Sequence, residues 1–132
     1  MCYYTFCNNA NGGKTLMAEK KTVFLTGASG HMGWAGFKEL YSKKDKLNIV
    51  LLLRDSEKNR KKFANYLNDP SVKIVWGDLK KYDDVLKCVE GSDYVLHVGG
   101  MVSPSADYYP TKTIQTNTTA AKNIVDAVKA QP

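Results

Sequence analysis

The sequence predicts an α/β fold in which helices flank a doubly wound parallel sheet. Short apolar runs of strand length alternate four times with segments of helical periodicity. Strands that alternate with helices of ten or more residues are joined by right-handed crossovers, which makes the strands parallel. The first strand also ends in a glycine-rich turn that leads directly into a helix.

The first unit has a strand at about 22–27 and a helix at about 31–43. The apolar positions of this helix are Met32, Ala35, Phe37, Leu40 and Tyr41. The second strand, at about 48–54, is apolar without alternation, which indicates burial on both faces. Ser56 can cap a second helix, whose apolar face would be Phe63, Tyr66 and Leu67. This helix must end before Pro70.

The third strand, at about 72–77, precedes a helix that stops at Gly91. This helix has apolar residues at helical spacing, namely Tyr82, Val85, Leu86 and Val89. The fourth strand lies at about 93–98. The last helix repeats apolar or small residues over one wide face, which predicts that it is well buried. That face contains Ile114, Thr118, Ala120, Ala121, Ile124, Val125, Ala127 and Val128.

Three glycines, Gly27, Gly30 and Gly33, stand at fixed spacing in the first turn. Such glycines turn the chain sharply, let the backbone approach a phosphate and let the helix pack close to the strand. The helix N-terminus adds free N–H groups and a positive dipole end. The turn therefore predicts a cradle for a dinucleotide. Because three glycines at this spacing also arise by chance, an ordinary glycine-rich turn is the alternative.

Four landmarks resemble, in order, the extended short-chain dehydrogenase/reductase family. Thr26–Gly33 resembles its Thr-Gly-x-x-Gly-x-x-Gly motif, and Leu51–Asp55 resembles the end of its second strand. Trp76–Leu79 resembles the Gly-Asp-Leu after the third strand, and Asp93–Gly100 resembles the fourth strand. The likeness covers about residues 21–130 and is greatest to the NAD(P)-dependent epimerase/dehydratase and dihydroflavonol-reductase-like branches.

The resemblance implies the N-terminal part of a Rossmann-type domain, truncated after about four βα units. The strand order would be 3-2-1-4, with the cofactor at the carboxyl ends of strands one and four. The residues that would bind NAD(P) are Gly27, Ser29, Gly30, His31, Met32, Gly33, Arg54, Asp78, Leu79, Val98, Gly99, Gly100 and Asn117. Asp78 would bind the adenine amino group, with an N-cap for the third helix as its alternative role.

Arg54 and Asp55 follow the second strand, where NAD-preferring members of the family have an acid that binds the ribose 2′-hydroxyl. A guanidinium suits a 2′-phosphate, because it offers a planar, charge-assisted fork to that anion. The pair therefore favours NADP over NAD. A cap for the second helix is the alternative role of Asp55.

The fourth strand and the last helix carry further expectations. Gly99 and Gly100 replace the alanines usual in the family, which predicts a looser wall beside the nicotinamide ribose. His97 is expected to be a hydrogen-bonded core histidine rather than a catalytic one. Asn117 is polar on an otherwise apolar helix, which indicates that it bridges backbone groups.

The catalytic Tyr-x-x-x-Lys pair of the family follows a fifth strand. Tyr108 and Lys112 have this spacing, but they precede the last helix and Pro110 lies between them. We therefore predict no catalytic residue and no metal site. The chain is expected to be part of a longer enzyme, or to have a partner strand, a second copy included, on the open edge of strand four. It would bind cofactor but turn over no small-molecule substrate alone. A non-catalytic NAD(P)-binding sensor or assembly module is the alternative function.

Length and composition predict one globular domain for the 132-residue chain, and because its N-terminal segment lacks the apolar stretch of a signal peptide we expect a cytoplasmic protein. No apolar run is long enough to cross a membrane. Residues 1–20 are expected to form a disordered extension before a domain at 21–132.

The three cysteines lack metal-site spacing, which indicates reduced thiols. The net charge of +6 is scattered, which argues against a nucleic-acid partner. Its densest group, Lys58 and 60–62, is either a solvated helix face or an attractor for the anionic cofactor.

Overall fold

The computed structural model describes residues 4–8, 14–18 and 20–132, with the first two segments described by their backbone only. Those segments are strands β1 (Tyr4–Asn8) and β2 (Lys14–Ala18), which pair antiparallel in a sheet of their own. The sequence pattern predicts no strand in this region. The rest of the expected extension, at 1–3, 9–13 and 19, lies outside the described residues, and its disorder stays a prediction.

Four parallel strands form the main sheet in the order β5-β4-β3-β6, which confirms the predicted order 3-2-1-4. The strands are β3 (Lys21–Thr26), β4 (Leu47–Leu53), β5 (Val72–Trp76) and β6 (Tyr94–His97). The helices are α1 (His31–Tyr41), α2 (Glu57–Lys62), α3 (Tyr82–Val89), α4 (Ser105–Tyr108) and α5 (Pro110–Lys129). A short 3₁₀ turn at Ala64–Tyr66 follows α2.

The sheet separates two hydrophobic clusters. On one face, Leu25 and Leu51 pack with Phe37 of α1 and with Phe63. On the other face, Phe24, Val50 and Leu52 pack with residues of α3 and α5. Every residue from Ile49 to Leu53 is buried, as the non-alternating apolar run of strand two predicts.

The outer positions of two helices differ from the prediction. In α1 only Gly33 and Phe37 are buried, whereas Met32 is 80% exposed because it lies at the open end of the sheet. Helix α2 ends at Lys62, and Phe63 packs into the core from its C-cap position. Leu67, expected on the apolar face of α2, is exposed because the chain leaves the helix before it.

Helix α5 is only partly buried, contrary to the expectation for its wide apolar face. A narrow stripe of Ala120, Ile124 and Ala127 faces α3 and the sheet. The neighbouring stripe is exposed, with Ile114 at 67% and Val125 at 49%. One packed layer covers one side of a helix, so the second apolar stripe faces outward.

Strand β6 forms an edge of the sheet, with Tyr94 and Leu96 exposed, as the open edge predicted for strand four. Within the described ranges, no helix combines the length and apolar character needed to cross a membrane.

Candidate functional site

A cleft of about 410 Å³ lies at the carboxyl ends of the four parallel strands. The loops after β3, β4, β5 and β6 meet there, since parallel strands end at one edge of the sheet. All the residues that sequence analysis selected for cofactor binding line the cleft except Asn117. The lining residues that it missed are Leu52, Leu53, Gly77, Lys80, Met101, Val102, Thr116 and Ala120. The last two lie four residues apart on α5, so helical spacing offered a signal for them.

The three glycines of the first turn differ in whether the surrounding structure leaves space for a side chain. Gly27 has a φ of +77°, and a Cβ there would lie 2.6 Å from the backbone nitrogen of Gly99. A Cβ on Gly33 would lie 1.7 Å from the carbonyl oxygen of Gly27, so α1 packs directly on the turn. At Gly30 the nearest atom would be 3.4 Å from a Cβ, which is an ordinary contact. The protein itself does not need a glycine there, whereas a ligand against the backbone would.

Helix α1 presents an uncompensated N-terminus to the cleft. Its N-cap, Gly30, has extended backbone and provides no side-chain cap, and its first turn has no acidic residue. The N–H groups and the positive dipole end therefore point to the space beside Ser29 and Gly30. This arrangement fits an anionic group such as a pyrophosphate.

Asp55, the acid after strand β4, forms an ion pair with the neighbouring Arg60. Asp55 accepts hydrogen bonds from both Nε and Nη2 of Arg60, the latter at 2.8 Å, and this pairing lowers the pKa of Asp55. Arg60 in turn stacks 4.6 Å from the ring centre of Trp76. The cap of α2 is Ser56, which accepts from the Asn59 N–H, so the alternative role of Asp55 as that cap is wrong.

Arg54 lines the cleft with an exposed side chain. Its carbonyl oxygen accepts a hydrogen bond from Asn59 Nδ2 at 2.8 Å, which holds the turn after β4. Lys62 brings a second cation toward the glycine turn, because its Nζ donates to the Ser29 carbonyl oxygen at 3.1 Å. The ammonium also lies 4.4 Å from the ring centre of Trp34.

Asp78 shapes the loop after β5 rather than the start of α3. Its Oδ1 accepts from the Lys80 N–H at 2.9 Å, and its own N–H donates to Asp84 Oδ2 at 3.1 Å. Helix α3 has Lys81 at its N-cap without a side-chain cap. The alternative role of Asp78 as the cap of α3 is therefore wrong.

The wall after β6 is tight. A Cβ on Gly99 would lie 2.8 Å from Leu79 Cδ1 and 3.1 Å from Thr26 Oγ1, so the predicted looser wall is wrong. Asn117 bridges the backbone of Met101, which follows this wall in the chain. Its side chain accepts a hydrogen bond from the Met101 N–H at 2.8 Å and donates one to the Met101 carbonyl oxygen at 3.1 Å. The predicted backbone-bridging role of Asn117 is confirmed, and Asn117 does not line the cleft itself but holds Met101, which does.

His97 is hydrogen-bonded but does not lie in the core. Its Nδ1 is 2.7 Å from Thr26 Oγ1 in a partly buried contact, while the residue as a whole is partly exposed on the edge strand. The partial burial of the ring lowers the pKa of His97. Cys88, by contrast, is a buried free thiol, and burial raises its pKa to about 12.

Tyr108 and Lys112 belong to different helices. Tyr108 ends α4 with its side chain 77% exposed, and Pro110 is the first residue of α5. Among the residues that the structure describes, no group of three or more His, Cys, Asp and Glu side chains could hold a metal ion.

Comparison with known proteins gives consistent results. A protein-family model described as NAD(P)H-binding matches residues 27–132. The UDP-glucose 4-epimerase of Rickettsia bellii (strain RML369-C) is 32% identical over 111 residues, covering 81% of this chain and 32% of that protein. The chain thus spans about a third of the length of the curated relatives it matches.

Two solved structures share the fold. Pen from Bacillus thuringiensis superposes with a TM-score of 0.74 at 24% identity, covering 86% of this chain and 35% of that one. DesIV, a dTDP-glucose 4,6-dehydratase from Streptomyces venezuelae with NAD and TYD bound, gives a TM-score of 0.68 at 17% identity, covering 80% and 35% of the two chains.

Proposed function

The chain belongs to the NAD(P)H-binding family, and we propose that it is the cofactor-binding part of an NAD(P)-dependent enzyme of the epimerase, dehydratase or reductase type. The resemblance to the N-terminal part of extended short-chain dehydrogenases/reductases is confirmed. The observation that carries the proposal is the uncapped N-terminus of α1 above the glycine turn, at the reversal of strand order. The relatives named UDP-glucose 4-epimerase favour the epimerase branch.

In this proposal, different residues of the cleft contact different parts of the cofactor. The pyrophosphate lies at Gly27, Gly30 and Gly33, with the N–H groups of His31 and Met32 and the Ser29 hydroxyl as donors. Asp78 binds the adenine amino group, and Leu79 packs on the ring. Val98, Gly99 and Gly100 contact the nicotinamide ribose and diphosphate, while Asn117 acts behind them through Met101. The bound cofactor supplies hydride transfer.

We further propose a preference for NADP. Because Arg60 engages both carboxylate oxygens of Asp55, that acid is a poor partner for a ribose 2′-hydroxyl. Arg54 is exposed in the cleft, and Lys62 adds positive charge at Ser29. Two cations, together with an acid whose charge is paired with Arg60, favour a 2′-phosphate over a hydroxyl.

The chemistry on substrate is proposed to depend on residues outside this chain. Tyr108 and Lys112 lie on separate helices, so they do not form the tyrosine–lysine pair of one helical turn. The chain alone is then a cofactor-binding unit without turnover, and its cytoplasmic location stays a prediction. A non-catalytic sensor or assembly module is the second candidate, which the exposed edge residues Tyr94 and Leu96 favour.

Equilibrium binding of NADPH and NADH at one fixed ionic strength tests the proposal. Arg54→Ala should weaken NADPH binding about ten- to a hundredfold, the effect of a lost charge-assisted hydrogen bond, and leave NADH binding nearly unchanged. Lys58→Ala is the matched control, since it removes one charge from α2 without altering the cleft.

Each outcome decides one part of the proposal. Equal loss in both variants would assign the effect to general charge and remove the specific role of Arg54. Equal wild-type affinity for both cofactors would refute the NADP preference. Binding of neither cofactor would refute the proposed site.

A further inference from the structure

The Thr26 hydroxyl joins the end of β3 to the turn after β6. Thr26 is fully buried, and its Oγ1 accepts from the Val98 N–H at 3.0 Å and from the Gly99 N–H at 2.9 Å. The same oxygen lies 2.7 Å from His97 Nδ1. Three groups of the β6 segment therefore converge on one hydroxyl.

Counting donors and acceptors assigns the proton on His97. A hydroxyl has one proton and two acceptor lone pairs. The Val98 and Gly99 amides occupy both lone pairs, so the Thr26 hydroxyl donates its proton to His97 Nδ1. The imidazole is then neutral and carries its own proton on Nε2. In an imidazolium, the Nδ1–H would face a hydroxyl oxygen that has no lone pair left.

The turn held in this way is a wall of the cleft. Val98, Gly99 and Gly100 line it, and the Gly99 backbone lies so close to Gly27 that a Cβ on Gly27 would come within 2.6 Å of the Gly99 nitrogen. A change in the hydrogen bonds at Thr26 therefore moves a contact of the glycine turn itself.

The surroundings of His97 favour the neutral ring. By strand alternation the imidazole lies on the same face of the sheet as Phe24 and Val95, the face against which α3 and α5 pack, and it remains partly exposed there. The titratable side chains on neighbouring elements are Lys21 on β3, Asp93 and Tyr94 at the start of β6, Tyr82, Asp83, Asp84, Lys87 and the buried thiol of Cys88 on α3, and Lys112, Lys122, Asp126 and Lys129 on α5. Burial lowers the pKa of His97, which favours the neutral form.

We propose that neutral His97 is a positioning residue of the cofactor cleft. By accepting the Thr26 proton it holds the 98–100 turn against the glycine turn, and its protonation loosens that turn and weakens cofactor binding. The consequence for binding rests on the proposed function, whereas the effect on the turn does not. Protonation of His97 should therefore have two effects that can be measured separately: a change in the 98–100 turn and a loss of cofactor affinity.

The first experiment uses the 132-residue chain without cofactor. Nuclear magnetic resonance between about pH 5 and 8 reports the tautomer of His97 from its ring nitrogens and the environment of the Val98 and Gly99 amides. We expect the Nε2–H tautomer at the upper end, and amide signals that move with the titration of His97. A proton on Nδ1, or amides that ignore the titration, would overturn the inference.

The second experiment measures NAD⁺ affinity over the same pH range, because NAD⁺ lacks a 2′-phosphate that would titrate near pH 6. Wild-type affinity should fall about two- to tenfold at the acid end, the effect of about one hydrogen bond. His97→Asn keeps an acceptor that does not titrate and should give a flat profile. Glu90→Gln is the control, since it removes an exposed titratable side chain outside the cleft and should keep the wild-type profile.

Variants of Thr26 separate positioning from general stability. Thr26→Ser keeps the hydroxyl and should keep the wild-type dependence of NAD⁺ affinity on pH. Thr26→Val removes the hydroxyl and should weaken NAD⁺ binding at every pH. If Thr26→Val does not fold, the serine and asparagine variants still decide the matter. Wild-type acid loss that persists in His97→Asn would refute the proposal. Absence of NAD⁺ binding together with the expected amide titration would refute the proposed function and leave the positioning of the turn established.

Discussion

Replacing Gly33 by alanine tests the contact between α1 and the glycine turn. The added Cβ would lie 1.7 Å from the oxygen and 2.3 Å from the carbon of the Gly27 carbonyl group. These are backbone atoms, which cannot rotate aside as a side chain can. Gly36 lies on the same helix, and a Cβ there would meet no atom within 4 Å. The two positions form a matched pair in which the substitution is identical and only the packing differs.

The expected effects have opposite signs. Alanine in a helix is favoured over glycine by about 0.5–1 kcal/mol, so Gly36→Ala should stabilise the protein by about that amount. In Gly33→Ala the same gain is opposed by the retreat of α1 from the turn by more than an ångström. Overpacking of this kind costs about 1–3 kcal/mol or more, and we expect a net loss of about 2 kcal/mol.

Urea and thermal unfolding of the two variants measure these changes. For a chain of this length 1 kcal/mol corresponds to roughly 3–5 °C in Tm, so Gly33→Ala should lower Tm by about 6–10 °C while Gly36→Ala raises it slightly. Binding of NADPH should weaken in Gly33→Ala and not in Gly36→Ala. Equal and small effects at the two positions would refute the packing argument.

Two further predictions concern polar contacts away from the glycine turn. Asp69 accepts hydrogen bonds from the Tyr41 hydroxyl, the Ser71 N–H and Lys44, which lower its pKa to about 2. Because the folded-state pKa lies below its ordinary value, wild type should exceed Asp69→Asn in stability above about pH 4 and lose that advantage toward pH 2. Urea unfolding at a series of pH values checks this, and a pH-independent difference would contradict it. Asn117→Ala loses both bonds to Met101 and should cost about 1–3 kcal/mol and weaken NADPH binding. Gln115→Ala on the same helix is its control in the same unfolding and binding assays, and equal effects would contradict the bridge.

Local patterns were sufficient for the four strands of the main sheet and for the glycine turn, whereas β1 and β2 were not predicted. The apolar run at Ile49–Leu53 is buried on both faces, as its lack of alternation indicates. Gly27 and Gly33 stand where the turn and the helix leave no space for a Cβ. These features depend on residues a few positions apart, whose geometry the backbone itself determines.

Side-chain partners were predicted less well. Asp55 pairs with Arg60 rather than capping α2, and Asp78 bonds within its own loop rather than capping α3. In both cases the residue type was compatible with two local arrangements. The choice depended on neighbours, such as the Trp76 ring beneath Arg60, that come from another strand.

The sequence by itself determined the four strands of the main sheet, their parallel orientation and the position of the glycine turn, because short-range periodicity and glycine spacing encode them. The strand order 3-2-1-4 came instead from the resemblance to a known family. Tertiary structure alone decided which stripe of α5 is buried, since α3 and the sheet cover one side of that helix. It alone also brought His97 to Thr26, 71 residues away along the chain. A contact between residues so distant in sequence has no periodic signature, and it exists only once β3 and β6 lie side by side.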